Sequence, residues 1–268
     1  MKINKGLSCF DLKCIGIICM TLDHIDRYII SSVNLSPLRF IGRMAAPCFL
    51  YITVQGITHT NNRIKYALQL YISHLLISIV TFLLMRVVKK PFGSHDQFSI
   101  LSTFLYVVVF VIIIERFKEA SVNGLTKRRF SSVLLLIVTI VFPVAVLPIT
   151  INQDVLFRGL LPNILTLPYS PVFVLMGLCW YFVKDKSKQM LILAGFSSLS
   201  LVGAILFSRL KVWLFMDYFN HKQFLMILFL PCILLYSGQR GKDSRWFFYI
   251  YYPVHIFVFM FIGPLMSK

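Results

Sequence analysis

Acidic side chains are scarce in this chain: ten Asp and Glu stand among 268 residues, against 27 Lys and Arg. Charged residues of both signs make up only 14%, where a soluble domain carries about a quarter. Long polar stretches are missing too. The most polar ones, around residues 86–97 and 115–130, are loop-sized. That excludes a second, soluble domain, and 1–268 reads as a single integral membrane domain. No CxxC occurs among Cys9, Cys14, Cys19, Cys48, Cys179 and Cys232, and Cys14 and Cys19 do not share a helix face. The spacing argues against a zinc or other metal site and against a disulfide framework. No repeat of fixed period and no inverted pair of halves is visible, which counts against common transporter architectures. A cleavable leader is not expected. The apolar run after Lys2 and Lys5 is too long for one, and no small-x-small site follows.

What is abundant is apolar surface. Hydrophobic residues make up 58% of the chain. They come in runs of about twenty, separated by short basic loops, which is the length of a membrane crossing. The expected fold is all-α, a polytopic transmembrane helical bundle of about nine or ten spans. The spans fall at 10–30, 38–58, 64–86, 97–115, 131–149, 171–184, 188–207, 222–237 and 245–265. The stretch 152–169, with Pro162 and Pro168, reads as a re-entrant or interfacial segment. The net charge of +17 does not imply nucleic acid. Basic residues sit at span ends, where they snorkel to the lipid surface. More of them fall on the inner loops when the N-terminus is placed in the cytoplasm, among them Lys127, Arg128, Arg129, Lys184, Lys186 and Lys188.

Polar groups inside the spans carry the functional question. The first span holds Asp23, His24, Asp26 and Arg27. A charged group there costs about 2.5–3.5 kcal/mol on insertion scales, so it serves chemistry, an ion path or helix docking. Arg43 lies one turn into the second span, at a similar depth to Asp23 and His24. Histidine suits a general base near neutral pH. An arginine can bind a pyrophosphate or stabilise an oxyanion. Asp23 can position the imidazole or pair with Arg27 or Arg43. The alternative is an ion pair that only fixes packing. His59 follows Gln55 by one turn and precedes Thr60-Asn61-Asn62-Arg63, a helix end able to grip a phosphate or simply to cap. His74, in the third span near Ser78, is expected to bond a neighbouring helix. His255 stands two residues after Pro253, among Tyr249, Tyr251 and Tyr252. Glu115 and Glu119 are expected to pair with Arg116, Lys118 or the Lys127-Arg128-Arg129 run, and Asp154 can face a cavity.

Three blocks carry a resemblance: LKCIGIICMTLDHI (12–25), LRFIGRMAAPCFLYITVQGITHTNNRIKYALQL (38–70) and LLYSGQRGKDSRWFFYIYYPVHIFVF (234–259). Together they resemble the TraX family of polytopic membrane proteins, which is related to membrane acyltransferases that modify surface glycans. The resemblance implies that Asp23 and His24 belong to an active site with Arg43 close by. It aligns His59 and Thr60 with an HT motif, and Tyr236, Gly238, Arg240 and Gly241 with a YxGxRG loop. Tyr252, Pro253 and His255 align with a last-span motif, and Asp154 loosely with an acidic position. Gln55, Ile79, Thr81 and Gln97 depart from the family pattern, which weakens any role for the third span.

The function expected is acyl transfer to an amine or hydroxyl on a pilin or other peptide, a glycan or a lipid, and the resemblance implies acetyl-CoA as the donor. His24 would be the base, Asp23 its support and Arg43 the donor or oxyanion ligand. Arg240, with His59, Thr60, Tyr236 and His255, would hold the donor. The alternatives are a proton-coupled transporter or flippase and a non-catalytic assembly factor. The expected location is a bacterial plasma membrane.

Overall fold

A computed structural model of the chain describes residues 6–26, 29, 37–87, 99–150, 159–207, 222–242 and 245–266. Arg27, His95, Gln97, Asp154 and His221 lie outside them. The described residues are helical, with no named strand, and the helices stand where the apolar runs are. They are α1 (Cys9–Ile25), α2 (Pro37–Gly42), α3 (Ala45–His59), α4 (Arg63–Val87), α5 (Leu101–Val122), α6 (Thr126–Thr150), α7 (Ser170–Phe182), α8 (Lys186–Phe207), α9 (Leu230–Leu235) and α10 (Arg245–Met266). A 3-10 stretch, Gln223–Phe229, leads into α9. Four segments are long and apolar enough to cross a membrane: Pro37–His59, Arg63–Leu83, Thr126–Val146 and Lys186–Leu206. Nearly all of α6 is exposed, with Phe130, Leu134, Ile137, Val138 and Val141 on its surface, as a lipid-facing helix requires.

Two expectations about element limits are corrected. The second span is not one helix: it breaks at Arg43 and Met44 between α2 and α3. Pro47 explains this, because it has no N–H to give the carbonyl of Arg43 and its ring crowds that oxygen. The polar stretch at 115–130 is mostly helix rather than loop. α5 runs on to Val122 and α6 begins at Thr126, so the connection is Asn123-Gly124-Leu125. Gly124, at φ 66°, makes that tight turn.

The chain forms two compact units, residues 1–55 with 182–268, and residues 56–181. In the second unit α4 packs on α5 and α5 on α6. Glu115 accepts from Arg63 of α4 at 2.6 Å and from the Tyr181 hydroxyl of α7 at 2.7 Å. It therefore pairs across helices, and Lys118, one of its expected neighbours, also lies within electrostatic reach. Glu119 does meet that turn, at Arg128, 3.4 Å away. The segment at 159–169, which includes a 3-10 turn at Ile164–Thr166, is tied to helices through its backbone. The carbonyls of Leu160, Pro162 and Pro168 accept from Tyr71, Tyr106 and Thr103, and Asn163 donates to the carbonyl of Pro143. Irregular backbone inside a membrane protein persists only where its polar groups are met in this way. His74 departs from expectation. It is buried, and among the described residues neither ring nitrogen has a hydrogen-bond partner.

The first unit holds α1 against α2, α3 and α10. α1 starts with a capping box: the Ser8 hydroxyl oxygen accepts from the Asp11 amide, and the Asp11 carboxylate accepts from the Ser8 amide at 2.8 Å. Gly16 lets the Phe49 ring approach; a Cβ there would sit 3.0 Å from it. Cys48 of α3 donates to the Leu12 carbonyl at 3.1 Å. α1 and α10 run in the same direction, because Leu7 bridges Tyr236 in parallel, Thr21 meets Tyr251, and His24 meets His255.

Candidate active site

The polar groups of α1 are displayed on two sides. On one side Asp23 accepts from Arg43 Nη2 at 2.7 Å. Both side chains are about nine-tenths buried, at 11% and 10% exposure. The helix break at 43–44 aims this arginine at α1, and Gly42 permits the approach. One turn further on, Asp26 pairs with Arg39. Lys222 lies within electrostatic reach of Asp26, Arg39 and Arg43. Among the described residues, two buried atoms of this cluster have no partner, Asp26 Oδ1 and Arg43 Nε.

The Gly42 contact carries a prediction. An added Cβ would lie 2.5 Å from Asp23 Cβ and 2.9 Å from its Cα. Gly→Ala gains about 1 kcal/mol in a helix interior. Overpacking against backbone costs about 1–3 kcal/mol, occasionally more. The clash wins here because backbone cannot rotate away. Gly42→Ala is expected to lower the apparent unfolding midpoint of the detergent-solubilised protein, whereas Gly195→Ala, with nothing within 4 Å of the new Cβ, should raise it or leave it unchanged.

On a second face of α1, about 100° round the helix from Asp23, His24 faces α10. Its Nδ1 lies 3.1 Å from His255 Nε2. The two ring centroids are 5.0 Å apart. His255 Nδ1 lies 3.0 Å from the carbonyl of Tyr251, one turn earlier. The Tyr251 ring stacks on His255 at 9° and 5.2 Å, and Phe259 meets it edge-on. Thr21 adds a second link, 2.6 Å from the Tyr251 hydroxyl. Thr21 donates its own proton to the Ile17 carbonyl, so Tyr251 is the donor to Thr21.

The residues expected to hold a donor divide. Tyr236 is buried, edge-on to Tyr51, and its carbonyl accepts from Lys186. The carbonyls of Gln239 and Arg240 accept from the Cys9 and Phe10 amides at 2.8 and 3.2 Å, capping α1. Those first amides are therefore spent on the loop. The Arg240 side chain is exposed, and with Lys13 it lies within reach of Cys9; Lys242 does so for Asp11. His59 is exposed at the end of α3, and His59 and Thr60 belong to the second unit. His24, Asp23, Arg43, Arg240, Tyr236 and His255 belong to the first. The Tyr251–Thr21 link went unread in the sequence; its one signal was the tyrosine cluster before His255.

Gly241, at φ 72°, seats the loop: a Cβ would lie 2.4 Å from Ser8 Oγ and 2.9 Å from Phe10 Cβ. Gly238, at φ 78°, has open space around it. Gly238→Ala should cost only the left-handed backbone, about 1–2 kcal/mol. Gly241→Ala adds a clash at the cap of α1 and should lower the unfolding midpoint clearly further.

The chain is 26% identical over 270 aligned positions, covering 96% of both chains, to a protein of Dichelobacter nodosus described as probable fimbrial assembly protein FimC, serogroup H1. No solved structure matches. The family model described as TraX protein matches residues 9–263, nearly the full length. A membrane-helical chain carrying this α1–α10 pairing and matched along that extent belongs to the TraX family.

Proposed function

We propose that this TraX-family protein is an integral membrane acyltransferase that passes an acetyl group from acetyl-CoA to an amine or hydroxyl on a pilus subunit or another surface acceptor. The name of the Dichelobacter relative supports the link to pili. The observation that carries the reading is the pairing of His24 with His255 one residue from the buried Asp23–Arg43 ion pair.

In the proposed reaction His24 takes the proton from the acceptor N–H or O–H as that atom attacks the thioester carbonyl. The C–S bond then breaks, and the departing coenzyme thiolate takes the proton back from His24. The acetylated acceptor and free thiol leave, and the imidazole is neutral again. Asp23 holds Arg43 by one Nη, and the buried Nε–H, which has no acceptor among the described residues, serves the developing oxyanion. A preorganised donor of this kind is worth about 2.7–4 kcal/mol. Arg240, Lys13 and Lys242 would receive the nucleotide phosphates. Cys9 to His24 spans about 22 Å at 1.5 Å per residue, of the same order as an extended pantetheine arm.

The test uses the purified protein in nanodiscs with labelled acetyl-CoA and synthetic peptide and glycan acceptors. Label appearing on an acceptor, with stoichiometric free thiol, is the result expected. Acceptor movement across the bilayer that is indifferent to acetyl-CoA would replace the reading with transport. An absence of both, in a protein that pilus assembly still requires, would leave an assembly factor.

A further inference from the structure

We infer that His255 is a positioning residue that sets the tautomer of His24, so that the lone pair of the neutral His24 ring lies on Nε2. The inference rests on the acyltransferase reading for its purpose, but its geometry stands by itself. The Tyr251 carbonyl can only accept a hydrogen bond, so His255 Nδ1, 3.0 Å away, carries a proton. A neutral His255 then has a bare Nε2. That nitrogen lies 3.1 Å from His24 Nδ1 and must receive its proton from there. A neutral His24 with a proton on Nδ1 has its lone pair on Nε2.

The surroundings fix this arrangement rather than merely allowing it. Tyr251 stacks on the His255 ring at 9°, and its hydroxyl is anchored to Thr21 of α1. Phe259 closes the edge of the same ring, and Tyr252 lies 5.5 Å from it. His255 is 5% exposed, so water does not readily compete for its Nε2. In water a free neutral imidazole prefers the opposite tautomer, with the proton on Nε2. A lone His24 would thus tend to place its lone pair toward α10. When His24 accepts the substrate proton at Nε2, its Nδ1–H remains bonded to His255, which steadies the cation. The same proton leaves from Nε2 to the coenzyme thiolate, so no net proton stays on the pair.

The measurement is the nitrogen-15 spectrum of the two rings in the full-length protein, labelled at histidine and reconstituted in nanodiscs without substrate. The His24 signals are assigned by their loss in His24→Asn. The result expected in the wild type is a protonated Nδ1 and a bare Nε2. His255→Phe should move His24 toward the Nε2–H form. His255→Gln, whose amide oxygen stands near the position of Nε2, should retain the wild-type form. Transfer activity should follow the tautomer, falling by about 10²-fold or more in His255→Phe and recovering in His255→Gln. A wild-type His24 protonated on Nε2, or a spectrum that His255→Phe leaves unchanged, would overturn the inference. Should His255→Phe not fold, the wild-type and His255→Gln spectra still decide. A correct tautomer in a protein that transfers no acetyl group would sink the enzyme reading alone.

Discussion

Replacing His24 with Asn is expected to lower acetyl transfer by about 10²–10⁴-fold, the range for losing a general base, while leaving the unfolding midpoint close to wild type. The choice of Asn follows from geometry. Its amide nitrogen stands near the position of the imidazole Nδ1, and can still donate to His255 Nε2, 3.1 Å away in the native pair. Nothing in Asn replaces Nε2. His24→Ala removes both. It should lose transfer to the same extent and, in addition, leave the buried acceptor of His255 without its donor, at about 1–3 kcal/mol. The two variants separate chemistry from packing: equal activity loss with unequal stability loss is the signature of a base. Full transfer by a folded His24→Asn protein would remove His24 from the reaction.

Much of the architecture is visible in the sequence because a membrane crossing is a local signal. Most apolar runs near twenty residues become α-helix, including the short one at Ser170–Phe182, while the run at 222–237 is 3-10 over Gln223–Phe229 before the six residues of α9. The departures have local causes that the hydropathy pattern does not weigh. Pro47 breaks the second span at the carbonyl of Arg43, and the basic residues after α5 continue as helix since Glu119 and Arg128 pair across a three-residue turn. Depth alone suggested that Asp23 and Arg43 could meet. The partner of His24 was not visible. His255 is 231 residues away, and only the parallel alignment of α1 and α10 brings the two rings together. The same alignment makes Tyr251 and Thr21 neighbours, and no spacing rule within one helix reports that. Glu115 shows the converse error. Nearby lysines and arginines are obvious in sequence, yet Arg63 of another helix takes the carboxylate.

Removing one member of the Asp23–Arg43 pair should destabilise the protein more than removing both. Arg43→Met leaves a carboxylate that is about nine-tenths buried without its cation, and such a change costs about 3–5 kcal/mol. Asp23→Leu strands the guanidinium in the same way, although Lys222 and Asp26 nearby reshape the field it meets. In the double variant no charge is stranded, and apolar side chains of similar size are often neutral or better at such sites. The double variant should therefore unfold at or near the wild-type midpoint. Its activity then answers what its stability cannot. If the pair exists only to dock α2 against α1, acetyl transfer returns with the fold. If Arg43 Nε stabilises an oxyanion, transfer stays depressed by about 10²–10³-fold in a protein as stable as the native one. The combination of restored midpoint and lost transfer is the result expected, since docking leaves Arg43 Nε buried without an acceptor among the described residues, and an idle buried donor is a cost that packing alone gives no reason to retain.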